Sequence, residues 1–156
     1  MSKQDVDVPL VGLIEKVVKG IDLSAIESEV AFDRFMKGSA SEIEMAGLLA
    51  ALQTKGAHHR EIAGGIRALR KAMVRVISSE PERLVDTAGT GGGTVTTFNI
   101  STAAALVAAG AGIPIAKHGN RSFTSRSGSA DVLEALGVDI DLSPKRMGEI
   151  LEEVGI

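Results

Sequence analysis

In the first half of the chain, apolar residues return every three or four positions, the period of helices with one buried face. Val8, Leu10, Val11, Leu13, Ile14, Val17 and Val18 form the first stripe, which Gly20 stops. Ser24 with Glu27, and Ser41 with Glu44, are Ser-x-x-Glu capping boxes that open two more helices. The second helix carries Val30, Phe32, Phe35 and Met36 before Gly38. The third carries Ile43, Met45, Leu48, Leu49 and Leu52 and ends near Gly56. A fourth is expected from about His59 to Ile77, with Ile62, Ile66, Leu69, Met73 and Val76 on one face. His58 and His59 read as a solvated helix start, because neighbouring side chains on a helix diverge by about 100° and do not share a metal ion easily.

Ser78-Ser79-Glu80-Pro81 marks a boundary, after which the pattern changes. Leu84 to Ala88 reads as a short strand running into Gly89-Thr90-Gly91-Gly92-Gly93. A helix begins near Ser101 with an alanine-rich body to Ala111, and Ile113 to Ala116 is a second strand. Ser127 or Ser129 caps a helix through Leu136, which Gly137 ends. Ser143-Pro144 opens one more, and the chain is expected to end at Ile156 still inside it. Strand, loop, helix, strand, loop, helix is the opening of an α/β domain with a parallel sheet. The expected fold class is therefore α/β: a small all-helical domain over residues 1–78, then the first part of a parallel-sheet domain over residues 79–156, apparently truncated.

Composition narrows the function classes. A net charge of −3 provides no general footprint for nucleic acid, so any anion site must be local. The chain has four Phe but no Trp or Tyr, which leaves no platform for stacking bases. With no cysteine there is neither a disulfide framework nor a thiolate zinc site. No apolar run approaches the roughly 18–20 residues that span a bilayer, and the polar start MSKQDVDV is no signal peptide. The expected partners are a small anionic substrate, with no nucleic acid and no membrane, and the expected location is the cytoplasm.

Two loops carry the chemistry. Gly89 to Gly93 places four glycines in five residues directly after a strand, where backbone N–H groups can converge and phosphate oxygens can approach without a Cβ in the way. No Gly-Lys-Ser/Thr follows, so it is not a Walker A loop, and by itself it also reads as a turn. Asn99, Ser101 and Thr102 stand at a helix start, where they serve as caps or as anion ligands. The second loop holds Lys117, His118, Asn120, Arg121, Ser122, Thr124, Ser125, Arg126, Ser127 and Ser129, with no acidic residue before Asp131. Such a set of cations and hydroxyls suits a phosphate or pyrophosphate. His118 reads as a structural histidine or as a general acid.

Asp86-Thr-Ala-Gly-Thr-Gly-Gly-Gly93, Thr97-Phe-Asn-Ile-Ser-Thr102, Lys117-His-Gly-Asn-Arg121 and Ser127-Gly-Ser-Ala-Asp-Val-Leu-Glu-Ala-Leu-Gly137 resemble the signature segments of the anthranilate phosphoribosyltransferases. Phe35-Met-Lys-Gly38, Lys55-Gly56 and Glu61-Ile-Ala-Gly64 fit as well, so the likeness covers nearly the whole chain in order. The pyrimidine nucleoside phosphorylases share that fold but differ in the lysine loop.

The resemblance implies transfer of phosphoribose from phosphoribosyl pyrophosphate (PRPP) to the amine of anthranilate, in tryptophan biosynthesis. It implies that PRPP is held by Gly89, Gly92, Gly93, Thr97, Asn99, Ser101, Thr102, Lys117, His118, Gly119, Asn120, Arg121, Ser122, Phe123, Thr124, Ser125 and Ser129. Ser101 would help to hold magnesium (Mg2+), Gly89 and Asn120 would lie near anthranilate, and no side chain acts as a covalent catalyst. A homodimer through the helical domain is implied too. Gly93 departs from the family, which has Asp there, so any contact from that side chain is lost. The family chain is about twice as long, with an acidic pair for magnesium and an arginine for anthranilate in its later half. The 156-residue piece is therefore expected to bind PRPP weakly and to turn over little. The remaining alternatives are a related transferase with another acceptor and a non-catalytic anion-binding or dimerisation fragment.

Overall fold

The computed structural model describes residues 8–88, 99–121 and 128–156 and divides into two units, Met1–Met73 and Val74–Ile156. Unit 1 contains α1 (Leu10–Val18), α2 (Ala25–Met36), α3 (Glu42–Lys55) and α4 (His59–Ala72). Both expected capping boxes form: Ser24 and Ser41 accept from the N–H groups of Glu27 and Glu44, whose carboxylates accept in return from the cap N–H groups. His58 caps α4, its Nδ1 accepting the Arg60 N–H at 3.3 Å. Leu10, Leu13 and Val17 from α1 meet Leu23, Ala31, Leu48 and Leu52 in the core, with Phe32 and Phe35 packed against it. Val11 and Val18, expected in the same stripe as Leu10, are instead exposed, as is Ile43 on α3.

Helix α4 departs from the sequence reading in two ways. It stops at Ala72 rather than Ile77, and Met73 is already extended (φ −63°, ψ 142°). The β-branched Val74, Val76 and Ile77 that follow favour extended backbone, and the Ile77 carbonyl lies against Gly148, where a Cβ would come within 2.7 Å of it. The buried face is also a different one. Glu61, Gly64, Gly65 and Ala68 face inward, whereas Ile62, Ile66 and Leu69 remain about half exposed. Small residues win this face because α4 packs tightly along α2: Ser28 Oγ donates to the Glu61 carbonyl at 2.6 Å, and Gly64 sits against the backbone of Ala25 and Glu29.

One acidic side chain pins the loops of unit 1. The Glu61 carboxylate, 1% exposed, accepts from the N–H groups of Leu23 (2.9 Å) and His58 (2.7 Å) and from Lys55 Nζ (3.0 Å). Lys55 also reaches Asp22 at 2.6 Å. Burial pushes the Glu61 pKa up, but the Leu23 and His58 N–H groups and the Lys55 ammonium together hold it below the ordinary glutamate range.

Among the described residues of unit 2 the strands are represented by one parallel bridge, Val85 to Ile115. Val85 N–H donates to the Pro114 carbonyl and Ala116 N–H to the Val85 carbonyl, both at 3.0 Å. On its other side, buried Ile115 donates its N–H to the Gly155 carbonyl at 2.9 Å. The helices are α5 (Ile100–Gly110), α6 (Ser129–Ala135) and α7 (Pro144–Val154). Gly128 rather than a serine precedes α6, its N–H held at 2.6 Å by the Asp131 carboxylate. Helix α7 does not run to the end of the chain: it stops at Val154, because Gly155 takes a left-handed conformation (φ 87°). Glu152 of α7 accepts from the Ser79 N–H (2.7 Å) and from the hydroxyls of Ser78 and Ser79, fixing the start of the unit onto that helix.

Candidate functional site

The Val85 and Ile115 segments run parallel, so their carboxyl ends lie together, the position where ligands bind in α/β folds. Asp86 and Thr87 leave the first, and Lys117 and His118 leave the second. Of the expected site residues, Asn99, Ser101, Thr102, Lys117, His118, Gly119, Asn120, Arg121 and Ser129 are described. Gly89, Gly92, Gly93, Thr97, Ser122, Phe123, Thr124 and Ser125 lie outside the described residues.

The described set is held together by hydrogen bonds between segments remote in sequence. His118 N–H donates to Asp86 Oδ1 at 3.0 Å. Lys117 Nζ donates to the carbonyls of Thr87 (2.9 Å) and His118 (3.1 Å). An ammonium has three N–H donors, and among the described residues two of them are spent on backbone carbonyls. Thr87 Oγ1 donates to the Ser101 carbonyl at 2.8 Å, which ties the strand end to the first turn of α5. Asp86 and Thr87 have no role in the sequence pattern alone and gain one from these bonds. The available signal was an acid followed by a hydroxyl at a strand end, just before a glycine loop.

At the start of α5 the Thr102 side chain is buried, 4% exposed, and its Oγ1 has no hydrogen-bond partner among the described residues. The Asn99 side chain does not cap this helix; its carbonyl accepts from the N–H groups of Thr102 and Ala103. A buried hydroxyl without a partner is costly unless something bonds it. The positive end of the helix dipole favours an anion there.

The segment after Lys117 folds back onto α6. Asn120 N–H donates to Ser129 Oγ at 3.3 Å, and the Ala130 N–H returns a bond to the Asn120 carbonyl. Gly119 permits this approach, since a Cβ there would stand 3.1 Å from Ser129 Oγ. Arg121 is engaged by α6: its guanidinium holds Glu134 in a two-pronged pair at 2.6 and 3.0 Å, with Asp131 at 3.9 Å. The Glu134 bond raises the Arg121 pKa and lowers that of Glu134. Among the described residues no group of three or more His, Cys, Asp or Glu side chains converges as a metal site, and no helix is long and apolar enough to cross a membrane.

A helical bundle followed by an α/β unit with donor-rich loops at its strand ends is the architecture of a class of glycosyl-transferring enzymes, and the match to known proteins agrees. Residues 11–73 match the helical bundle domain of a glycosyl transferase family, and residues 81–156 match its α/β domain. The chain belongs to this glycosyl transferase family. It is 51% identical over 143 residues to the anthranilate phosphoribosyltransferase of Desulforamulus reducens, a match covering 92% of this chain and 41% of that protein. It is 52% identical over the same length to the enzyme of that name from Pelotomaculum thermopropionicum, with the same coverage. The crystal structure of the anthranilate phosphoribosyltransferase of Thermus thermophilus superposes with a TM-score of 0.81 at 44% identity, over 91% of this chain and 43% of that one. The chain thus spans about two fifths of the length of these relatives.

Proposed function

We propose that the chain is the PRPP-binding part of an anthranilate phosphoribosyltransferase, which moves phosphoribose onto the amine of anthranilate and releases pyrophosphate. The observation that carries this reading is the buried Thr102 hydroxyl, without a hydrogen-bond partner among the described residues. Thr102 follows the Ser101 held by Thr87, the same residue whose carbonyl fixes the Lys117 ammonium. Breaking a sugar–pyrophosphate bond requires charge on the leaving group to be stabilised, and a fixed cation with oriented N–H and O–H donors does that without reorganising. The names of relatives about 50% identical over 92% of the chain support the same acceptor. Gly89 and Asn120 would then lie near anthranilate.

Magnesium fits as an ion carried largely by the substrate. The hydroxyl of Ser101 is a hard oxygen that would help to hold the ion, which would neutralise developing pyrophosphate charge. The location that goes with the reading is the cytoplasm, because a multiply charged sugar phosphate does not cross a bilayer unaided. A homodimer through the helical unit is part of the same proposal. Ile62, Ile66 and Leu69 on α4 leave an apolar face half exposed, which a second copy would cover. Sedimentation of the chain is expected to give twice the monomer mass, with Ile66→Glu shifting it to monomer; a monomeric wild type at high concentration would exclude the pairing.

Calorimetric titration with PRPP and magnesium tests the site itself. Weak saturable binding is expected from the wild-type chain. Lys117→Ala should weaken it by about 1.5–3 kcal/mol, roughly ten- to a hundredfold, the usual worth of a charged hydrogen bond. Equal binding by the two proteins would remove Lys117 from the site.

A further inference from the structure

We propose that Thr87 is a positioning residue that locks the Lys117 ammonium and the first turn of α5 into one preformed anion cradle. The inference rests on the PRPP-binding reading and deepens it. Thr87 is half-buried and bonds in two directions at once. Its hydroxyl donates to the Ser101 carbonyl at 2.8 Å, and its own carbonyl accepts from Lys117 Nζ at 2.9 Å. Among the described residues it is the single residue that hydrogen-bonds both to α5 and to the lysine. Its neighbours hold it in place: Val85 is paired on both its N–H and its carbonyl with the second strand segment, and Asp86 accepts the His118 N–H.

The physical consequence is preorganisation. A free lysine samples many rotamers, and an anion that binds it must freeze them. Here two carbonyls fix the ammonium before any ligand arrives, and one of those carbonyls belongs to the residue whose hydroxyl fixes the helix bearing Thr102. Loss of the hydroxyl leaves Lys117 bound to its carbonyls but releases the strand end from α5. The two halves of the cradle then move independently, and each anion must bring them together.

Thr87→Val keeps the shape and deletes the donor, and Thr87→Ser restores it. Titration of the whole 156-residue chain with pyrophosphate and magnesium is expected to show roughly five- to tenfold weaker binding by Thr87→Val and near wild-type binding by Thr87→Ser. In a Thr102→Val background the same Thr87→Val change should matter less than twofold, because the helix half of the cradle is already impaired; a purely structural role would give additive losses. Hydrogen exchange without ligand supplies the second readout. The Thr102 and Ala103 amides at the start of α5 should exchange several-fold faster in Thr87→Val than in wild type, with the protection of α7 unchanged. Unaltered affinity, or fully additive losses, would overturn the proposal. If the wild-type chain binds no pyrophosphate, the functional reading fails instead, and the positioning role is decided by exchange: unchanged protection at Thr102 and Ala103 sinks it.

Discussion

Glu61→Gln is expected to destabilise the helical unit by about 3–5 kcal/mol, the cost of breaking a buried ion pair from one side. The carboxylate accepts from two backbone N–H groups and the Lys55 ammonium at once. An amide has only one accepting atom, so its NH2 group must confront at least one of those donors. Denaturant titration followed by circular dichroism would measure the loss, and a change below about 1 kcal/mol would show that the network relaxes around the amide. The network also sets a pH window. Glu61 has a lowered pKa when folded, so its contribution is complete above about pH 4.3, the ordinary glutamate value, and fades as pH falls through the lower folded value. Lys55 has a raised pKa, through hydrogen bonds first to Asp22 and then to Glu61. Its contribution is complete below about pH 10.4 and fades as pH rises through the higher folded value. Glu61→Gln should therefore flatten the acid limb of the stability profile.

Gly64→Ala should be nearly as damaging, although alanine is the better helix former. A Cβ at Gly64 would collide with the Ala25 carbonyl and stand 2.6 Å from Ser28 Cβ and 2.8 Å from the Glu29 nitrogen. Two of these neighbours are backbone, so relief requires α2 and α4 to separate, which also stretches the Ser28–Glu61 hydrogen bond. Overpacking of this kind costs up to about 3 kcal/mol, occasionally more, and in a unit of this size would lower its melting temperature by roughly 12–24 °C. Gly65→Ala is the control. Its Cβ would meet the Phe32 ring at 3.4 Å, an ordinary contact, and its melting temperature should shift by no more than a few degrees. Similar melting of the two variants would mean that the helices adjust their spacing freely.

Both predictions concern residues whose importance the apolar pattern did not reveal. Glu61 reads as an acid in the first turn of a helix, and its burial arises only because Leu23 and Lys55, from other segments, converge on it. The stripe of Ile62, Ile66 and Leu69 was the natural candidate for the buried face of α4, yet Gly64, Gly65 and Ala68 are inside. Hydropathy ranks side chains by their own transfer energy, whereas here close packing of two helix backbones set the choice.

The sequence by itself determined what is local. Capping at Ser24, Ser41 and Ser143 marked three helix starts, since each cap bonds residues within one turn. It also determined the concentration of donors at 117–129, because residue type and order alone carry it. Tertiary structure decided the ends of α4 and α7, the buried face of α4 and the disposition of the site. That Lys117 reaches the Thr87 carbonyl, that Thr87 reaches Ser101 and that Arg121 is occupied by Glu134 are bonds between residues 13 to 30 positions apart. Such bonds form only once the parallel pairing that the strand–helix–strand order led one to expect, Val85 with Ile115, brings the two strand ends side by side, and no local pattern records which side chains then meet.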